Sequence, residues 1–161
     1  MKIRRAVAAD AALWQAERLK ALRLAPAAFG ARLADWQDRP VSDFAAEIES
    51  YRIFFAFDAD RPVGHIRWCP DADPAETGRA WVEAVFVDPA ARGQGCAQAL
   101  IAAALADALT AGMAEVWLDV GAANSAAQSA YRKAGFRAVP ADQRPRSAAS
   151  ACELSMVRIL P

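Results

Sequence analysis

Apolar and polar residues alternate along this chain with a spacing that changes several times. A short apolar alternation near the start predicts a strand over Ile3–Val7. Leucines and a tryptophan then recur every three or four positions, which predicts a helix that Pro26 ends. A second segment with helical spacing lies within 35–50, where Ser42 or Asp43 is the expected N-cap. The first third is therefore predicted to be one strand followed by two helices.

The middle of the chain favours strands. Three apolar runs are separated by short segments rich in Asp, Pro and Gly. This arrangement is typical of an antiparallel meander, because tight polar turns join neighbouring strands. The three runs are Ile53–Phe57, Val63–Cys69 and Ala80–Val87.

Helical spacing returns in the last third. Apolar residues between 100 and 109 predict a helix that Gly112 closes, and Val116–Val120 is typical of a buried strand. Another helix is predicted after Asn124, and Cys152–Leu160 is a final strand. The strand, helix and strand between 80 and 120 imply a right-handed parallel crossover. Residues 1–161 are thus predicted to form one α+β domain, with a mixed sheet and helices on its faces.

Composition narrows the class of protein. The chain carries 19 basic and 19 acidic residues, so it shows no electrostatic footprint for nucleic acid or for an anionic membrane surface. With a single histidine, no metal site is expected. Three widely spaced cysteines fit reduced thiols, so the expected compartment is the cytoplasm. No apolar run is long enough to span a bilayer.

One short segment, Arg92–Ala97, carries recognisable chemistry between a strand and a helix. The first N–H groups of a helix lack internal partners, and glycines let the backbone approach an anion, so the segment suits a diphosphate. A dinucleotide-binding turn fits poorly, since Gln98 stands where that fingerprint needs Gly or Ala, and a P-loop would need Gly-Lys-Ser/Thr. A loop that needs glycine for geometry alone is the remaining alternative.

The longer segment Val85–Ala97, with the sequence VFVDPAARGQGCA, resembles the central signature of the GNAT superfamily of N-acetyltransferases. Arg92, Gly95 and Ala97 match the fixed positions of its Arg/Gln-x-x-Gly-x-Gly/Ala pattern. The resemblance implies a mostly antiparallel mixed sheet with a splayed parallel strand pair, flanked by about four helices. It also implies acetyl-CoA as co-substrate, with its pyrophosphate on the turn and its pantetheine arm beside the preceding strand.

A second signature follows the fifth predicted strand. Asn124, with Tyr131 seven residues later and Gly135 and Phe136 after it, is similar to the family's Asn, Ala-x-x-x-Tyr and Gly-Phe pattern. By that analogy Asn124 bonds the cofactor arm and Tyr131 protonates the leaving thiolate. The structural alternatives are a helix N-cap for Asn124 and a core aromatic for Tyr131. The positions implied for acetyl-CoA are Val85, Phe86, Val87, Arg92, Gly93, Gln94, Gly95, Cys96, Ala97, Gln98, Asn124 and Tyr131.

Two acidic residues, Glu83 and Asp119, lie inside apolar strands. A carboxylate there is costly unless it is hydrogen-bonded or faces a wet cavity. An amine must lose its proton before it attacks a thioester, so each is a candidate general base. Glu83 is the first choice, and Asp119, one methylene shorter than the glutamate that some members carry there, is the second. A charged group at an open end of the sheet is the structural alternative for Glu83.

The resemblance implies acetyl transfer to a primary amine of a small molecule, directly within a ternary complex. Acetylation of a protein N-terminus or lysine, a non-catalytic acyl-CoA-binding module and, more distantly, a nicotinamide-dependent oxidoreductase are the alternatives. Nothing in 13–50 or 139–150 indicates the acceptor. The acidic segment Asp35–Glu49 is expected to be a solvated helix face, His65 to be structural and Cys96 to be a packing residue. The apolar last strand would permit a homodimer.

Overall fold

The computed structural model describes residues 1–145 and 153–161, which contain seven strands and four longer helices. The strands are β1 Lys2–Arg5, β2 Arg52–Asp58, β3 Arg61–Pro70, β4 Arg79–Val87, β5 Glu115–Gly121, β6 Arg137–Ala138 and β7 Glu153–Ile159. The helices are α1 Ala11–Leu24, α2 Val41–Ser50, α3 Cys96–Thr110 and α4 Ser125–Lys133. The strands form one sheet in the order β1-β2-β3-β4-β5-β7-β6.

Every neighbouring strand pair is antiparallel except β4 and β5, which are parallel and joined through α3. The predicted α+β class, the mixed sheet and the four helices are therefore confirmed. The predicted N-cap of α2 is wrong, because the helix begins at Val41 with Pro40 in the capping position. Asp43 lies in the first turn instead, where a negative charge favours the helix dipole. Cys152, the predicted start of the last strand, lies outside the described residues.

The parallel pairing of β4 and β5 covers only three residues of each strand. It ends at Trp81 and Trp117, whose rings lie 6.1 Å apart. Beyond this point β4 stays paired with β3 as far as Val87, and β5 stays paired with β7 as far as Gly121. The two strands therefore separate inside the sheet, and each turns an unpaired backbone edge toward the gap. This is the splayed pair that the family resemblance implied.

A β-bulge in β4 borders the gap. Between the pairs His65–Phe86 and Arg67–Glu83, β4 holds one residue more than β3. Ala84, within the bulge, has φ +52, a left-handed conformation that costs a non-glycine residue about 1–2 kcal/mol. Its side chain packs on the core beneath α1 and α2. The bulge thus interrupts the pleat of β4 and changes which side chains face each side of the sheet.

The sheet buries a core on each face. The larger core, on the α3 side, includes Trp68, Leu100 and Met156. The smaller core, beneath α1 and α2, includes Trp14 and Phe55. Both faces of the central strands are therefore covered, and the gap between β4 and β5 lies between two packed layers. Among the described residues, no helix is both long enough and apolar enough to cross a membrane.

A glycine in β3 sets how closely α3 approaches the sheet. A Cβ at Gly64 would lie 2.8 Å from the carbonyl oxygen of Phe86 and 3.2 Å from the Sγ of Cys96. Cys96 begins α3 and is buried, and burial raises the pKa of its thiol, in keeping with a packing role. Small residues at 64 and 96 therefore let the start of α3 lie directly against β3 and β4.

We expect Gly64→Ala to destabilise the protein by about 1–3 kcal/mol, because either the backbone of β4 or the start of α3 must shift. Thermal melting should show a transition several degrees lower than that of the wild type. Gly30→Ala is the matched control, since a Cβ there meets no atom within 4 Å. Equal melting temperatures for the two variants would contradict the close approach of α3.

Candidate active site

The turn between β4 and α3 presents six backbone N–H groups for which the described residues provide no acceptor. From Gly93 to Gln98, no amide donates a hydrogen bond to any part of the chain that the structure describes, and the first to do so is that of Ala99, to the Gly95 carbonyl. Gly93 and Gly95 have φ of +76 and +80, and Gly95 is the N-cap residue of α3. The turn and the helix dipole together therefore suit a bound anion.

The space in front of these amides is open. A Cβ built at Gly93 or at Gly95 meets no atom within 4 Å. The Arg92 Nε donates to the Val87 carbonyl at 3.1 Å, and the Gln94 Nε2 donates to the Ala90 carbonyl at 3.0 Å, so both side chains brace the turn. A diphosphate could therefore reach the backbone of the turn without displacing any side chain.

The gap between β4 and β5 leads to a pocket that collects the predicted catalytic residues. Glu83, Asp119, Asn124 and Tyr131 all line it, although they come from β4, β5 and the start and body of α4. The remaining lining residues are Ala28, Phe29, Val82, Ala84, Val85, Val120, Gly121, Ala127 and Glu153. Phe86 does not line it, because its ring lies 5.5 Å from that of His65 on the face beneath α1.

Asn124 caps α4. Its Oδ1 accepts a hydrogen bond from the Ala127 amide at 3.2 Å, so the N-cap alternative is confirmed. The cap does not use the side-chain NH₂ group, which leaves two donors for a ligand in the pocket. Gln128 fixes the loop before the helix by donating to the carbonyls of Gly121 and Ala122 at 3.1 and 3.0 Å.

Tyr131 is buried, and its ring lies edge-on to Phe136 at 5.9 Å. The Gly-Phe sequence holds it there: Gly135 has φ +86, and the Phe136 amide donates to the Tyr131 carbonyl at 3.0 Å, which closes α4 in a Schellman turn. Burial raises the pKa of Tyr131, so its phenol keeps its proton at neutral pH. The pocket therefore contains a protonated hydroxyl suited to act as an acid.

Glu83 is held by an arginine that the sequence did not single out. The Nε and NH2 of Arg67 both donate to the Oε2 of Glu83, at 3.1 and 2.7 Å. The NH1 donates to Glu47 at 2.6 Å, and the indole of Trp14 donates to the same carboxylate at 2.6 Å. Burial alone would lower the pKa of Arg67, but the two carboxylates outweigh it and raise the pKa.

The other oxygen of Glu83, Oε1, has no hydrogen-bond partner within 1–145 or 153–161, and the side chain is 42% exposed. It can therefore accept a proton.

Glu47 contradicts the expectation that the segment Asp35–Glu49 is a solvated helix face. Its side chain is 13% exposed because it bonds Arg67 and Trp14 beneath α2.

Asp119 is engaged elsewhere. Its Oδ1 accepts a hydrogen bond from the hydroxyl of Ser155, its antiparallel neighbour on β7, and lies 3.5 Å from the Arg144 NH2. These partners compete for the lone pairs that a base needs, so Glu83 remains the better candidate. Neither Ser155 nor Arg144 belongs to a motif, and this pairing depends on strand register that the sequence does not reveal.

A second buried arginine was also missed. Arg18 is 3% exposed, and its guanidinium carbon lies 5.1 Å from the ring centre of Phe29 and 5.5 Å from that of Trp36. Its Nε and NH1 find no hydrogen-bond partner among the residues that the structure describes. Burial, assisted by the charge of Arg67, lowers the pKa of Arg18 to about 10.

Among residues 1–145 and 153–161, no group of His, Cys, Asp or Glu side chains could hold a metal ion.

Replacing the buried cation of the Glu47–Arg67–Glu83 cluster should destabilise the fold. We expect Arg67→Met to cost about 3–5 kcal/mol at neutral pH, because two carboxylates lose their shared partner. The cost is measured as the loss in melting temperature relative to the wild type. Arg61→Met, which removes an exposed ion pair with Asp58, should cost at most about 1 kcal/mol. A loss in Arg67→Met as small as that in Arg61→Met would contradict this account of the cluster.

Comparison with known proteins agrees with this geometry. The model of the acetyltransferase (GNAT) family matches residues 16–136. Similar solved structures include an acetyltransferase of GNAT family from Streptococcus pneumoniae, with a TM-score of 0.79, 18% identity and 99% of both chains covered. A search of the curated proteins finds no match.

Two further solved structures share the fold. A phosphinothricin acetyltransferase from Sinorhizobium meliloti in complex with acetyl-CoA has a TM-score of 0.78 and 17% identity, over 99% of this chain and 88% of that one. A ribosomal-protein-alanine N-acetyltransferase from Brucella melitensis has a TM-score of 0.76 and 21% identity, over 99% and 100%. The two act on different acceptors by their names, so the shared fold does not select an acceptor.

Proposed function

Because the chain belongs to the GNAT family of acetyltransferases, we propose that it moves the acetyl group of acetyl-CoA to a primary amine of a small molecule, directly within a ternary complex. The observation that carries this proposal is the run of six amides from Gly93 to Gln98, which find no acceptor within 1–145 or 153–161. It lies at the end of β4, the strand whose free edge borders the pocket with Glu83 and Tyr131. One strand thus joins a diphosphate site to an acid and a base.

The donors of the chain fit the cofactor. We assign the pyrophosphate of acetyl-CoA to the amides of Gly93–Gln98, where a helix N-terminus favours anions. We assign the pantetheine arm to the unpaired edge of β4 at Val85–Val87 and to the NH₂ group of Asn124. Acetyl-CoA supplies a thioester, which an uncharged amine can attack.

Glu83 and Tyr131 divide the proton transfers. The Oε1 of Glu83 takes the proton of the acceptor ammonium through water, while Arg67 holds the carboxylate in place through Oε2. The hydroxyl of Tyr131 donates its proton to the sulfur that leaves, and burial keeps it protonated for that step. A backbone N–H on the unpaired edge of β4 donates a hydrogen bond to the thioester carbonyl and polarises it for the attack of the amine.

A thiol-release assay separates the proposed activity from its alternatives. Free-thiol release is measured with acetyl-CoA and four acceptor classes: amino acids, polyamines, aminoglycosides and peptides. Turnover with peptides alone would replace the small-molecule assignment. Acetyl-CoA binding without thiol release from any acceptor would indicate a non-catalytic acyl-CoA-binding module.

We further propose a cytoplasmic location, which the free thiols of Cys69 and Cys96 support. The homodimer remains a prediction.

Tyr131→Phe should keep acetyl-CoA binding and lower kcat about 100-fold or more, since the ring still packs on Phe136 but the acid is lost. Steady-state thiol release and calorimetry on the same preparation separate the two effects. Tyr51→Phe is the matched control, because that ring contacts Arg67 and does not line the pocket. Normal turnover in Tyr131→Phe would contradict the role of the phenol.

Gly95→Ala should weaken acetyl-CoA binding about tenfold or more, because φ +80 is strained for alanine and the amides of the turn would move. Gly112→Ala is the matched control. Gly112 has nearly the same φ, at +84, and equally open surroundings, but it lies at the far end of α3. Both variants should lose stability, and only Gly95→Ala should lose affinity. Equal affinity in calorimetry would contradict the diphosphate site.

A further inference from the structure

Arg18 is a buried cation with two guanidinium nitrogens that find no acceptor among the described residues. The stacking on Phe29 and Trp36 offsets only part of the free-energy cost of enclosing an unpaired ion. Aromatic contacts alone therefore do not account for a charged group at this position.

The nearby acids do not fill this role. Glu47 and Glu83 are the acidic groups that act electrostatically on Arg18, and both accept hydrogen bonds from Arg67 rather than from Arg18. An acceptor amine that enters as an ammonium would pair with Glu83 and leave the Arg18 donors without an acceptor. An acceptor that also carries an anion would satisfy the Arg18 donors as well.

Arg18 lies next to the pocket wall. Phe29, whose ring it contacts at 5.1 Å, lines the same pocket as Glu83 and Tyr131. Phe29 comes from the irregular segment between α1 and α2, so its ring can turn without breaking a helix or a strand. A ligand bound near Glu83 is therefore separated from the guanidinium by one aromatic side chain.

We propose that Arg18 recognises an anionic group on the acceptor, so that the acceptor is an amine carrying a carboxylate or a phosphonate, as in an amino acid. The proposal rests on the proposed acetyl transfer and names the substrate class of that site. Arg18 binds the oxyanion bidentately and sets specificity, while Glu83 receives the proton of the amine.

The test compares acceptors that differ only in charge. Thiol release is measured with acetyl-CoA and a set of amino acids, their C-terminal amides and the matching aminophosphonates. We expect kcat/KM for the best acid to exceed that for its amide by about 10- to 100-fold, the range of a hydrogen-bonded charge. The rates with the aminophosphonates show whether the site prefers a phosphonate or a carboxylate. An amide that reacts as well as the acid would overturn the proposal.

A substitution at Arg18 tests whether this residue causes the preference for the acid over its amide. Arg18→Gln should bring the ratio of kcat/KM for the acid to kcat/KM for the amide close to one, because KM for the acid rises. KM for acetyl-CoA should stay unchanged. Arg23→Gln, an exposed arginine on the same helix, should keep the ratio. An equal loss for acid and amide in Arg18→Gln would overturn the proposal, as would an unchanged ratio. If Arg18→Gln does not fold, the comparison in the wild type decides alone.

The two levels of the proposal fail differently. Absence of thiol release from every amine, in a protein whose melting temperature acetyl-CoA raises, would overturn the proposed acetyl transfer itself. Release that is equally fast from charged and neutral amines would leave acetyl transfer standing and would overturn only the role of Arg18.

Discussion

The early end of the β4–β5 pairing at Trp81 and Trp117 is the constraint on which the site depends. Parallel strands that stayed paired would satisfy each other's backbone groups and close the sheet. Here each strand keeps its outer partner and loses the inner one, so unpaired backbone remains inside a covered sheet. Such groups are costly unless a ligand or water satisfies them. The gap therefore offers these groups to a ligand, and residues from β4, β5 and α4 meet along it.

The polar residues around the gap form a connected cluster. Trp14 on α1 bonds Glu47 on α2, and Arg67 on β3 links that carboxylate to Glu83 on β4. The two N-terminal helices are thus tied to the proposed base by hydrogen bonds as well as by packing. A substitution in α1 or α2 that moves Trp14 or Glu47 would therefore also move Arg67 and Glu83.

Local patterns in the sequence predicted much of this molecule. Hydrophobic spacing gave the order of strands and helices, and the turn at Arg92–Ala97 indicated an anion site before any contact was known. The sequence could not reveal Arg67 or Arg18, because their roles depend on which strands and helices meet across the sheet. One clue was present: Arg18 occupies the position of an apolar residue in the buried stripe of α1, between Trp14 and Leu22. The partners of Asp119 likewise required strand register.

The central claim is that the amides of Gly93–Gln98 hold the diphosphate of acetyl-CoA. Amide hydrogen exchange at these six residues, measured for the free protein, with CoA and with pantetheine, tests it most directly. Pantetheine carries the thiol arm without the diphosphate. The account predicts that CoA slows exchange across the turn and that pantetheine does not. Exchange that CoA leaves unchanged, or that pantetheine slows equally, would contradict it.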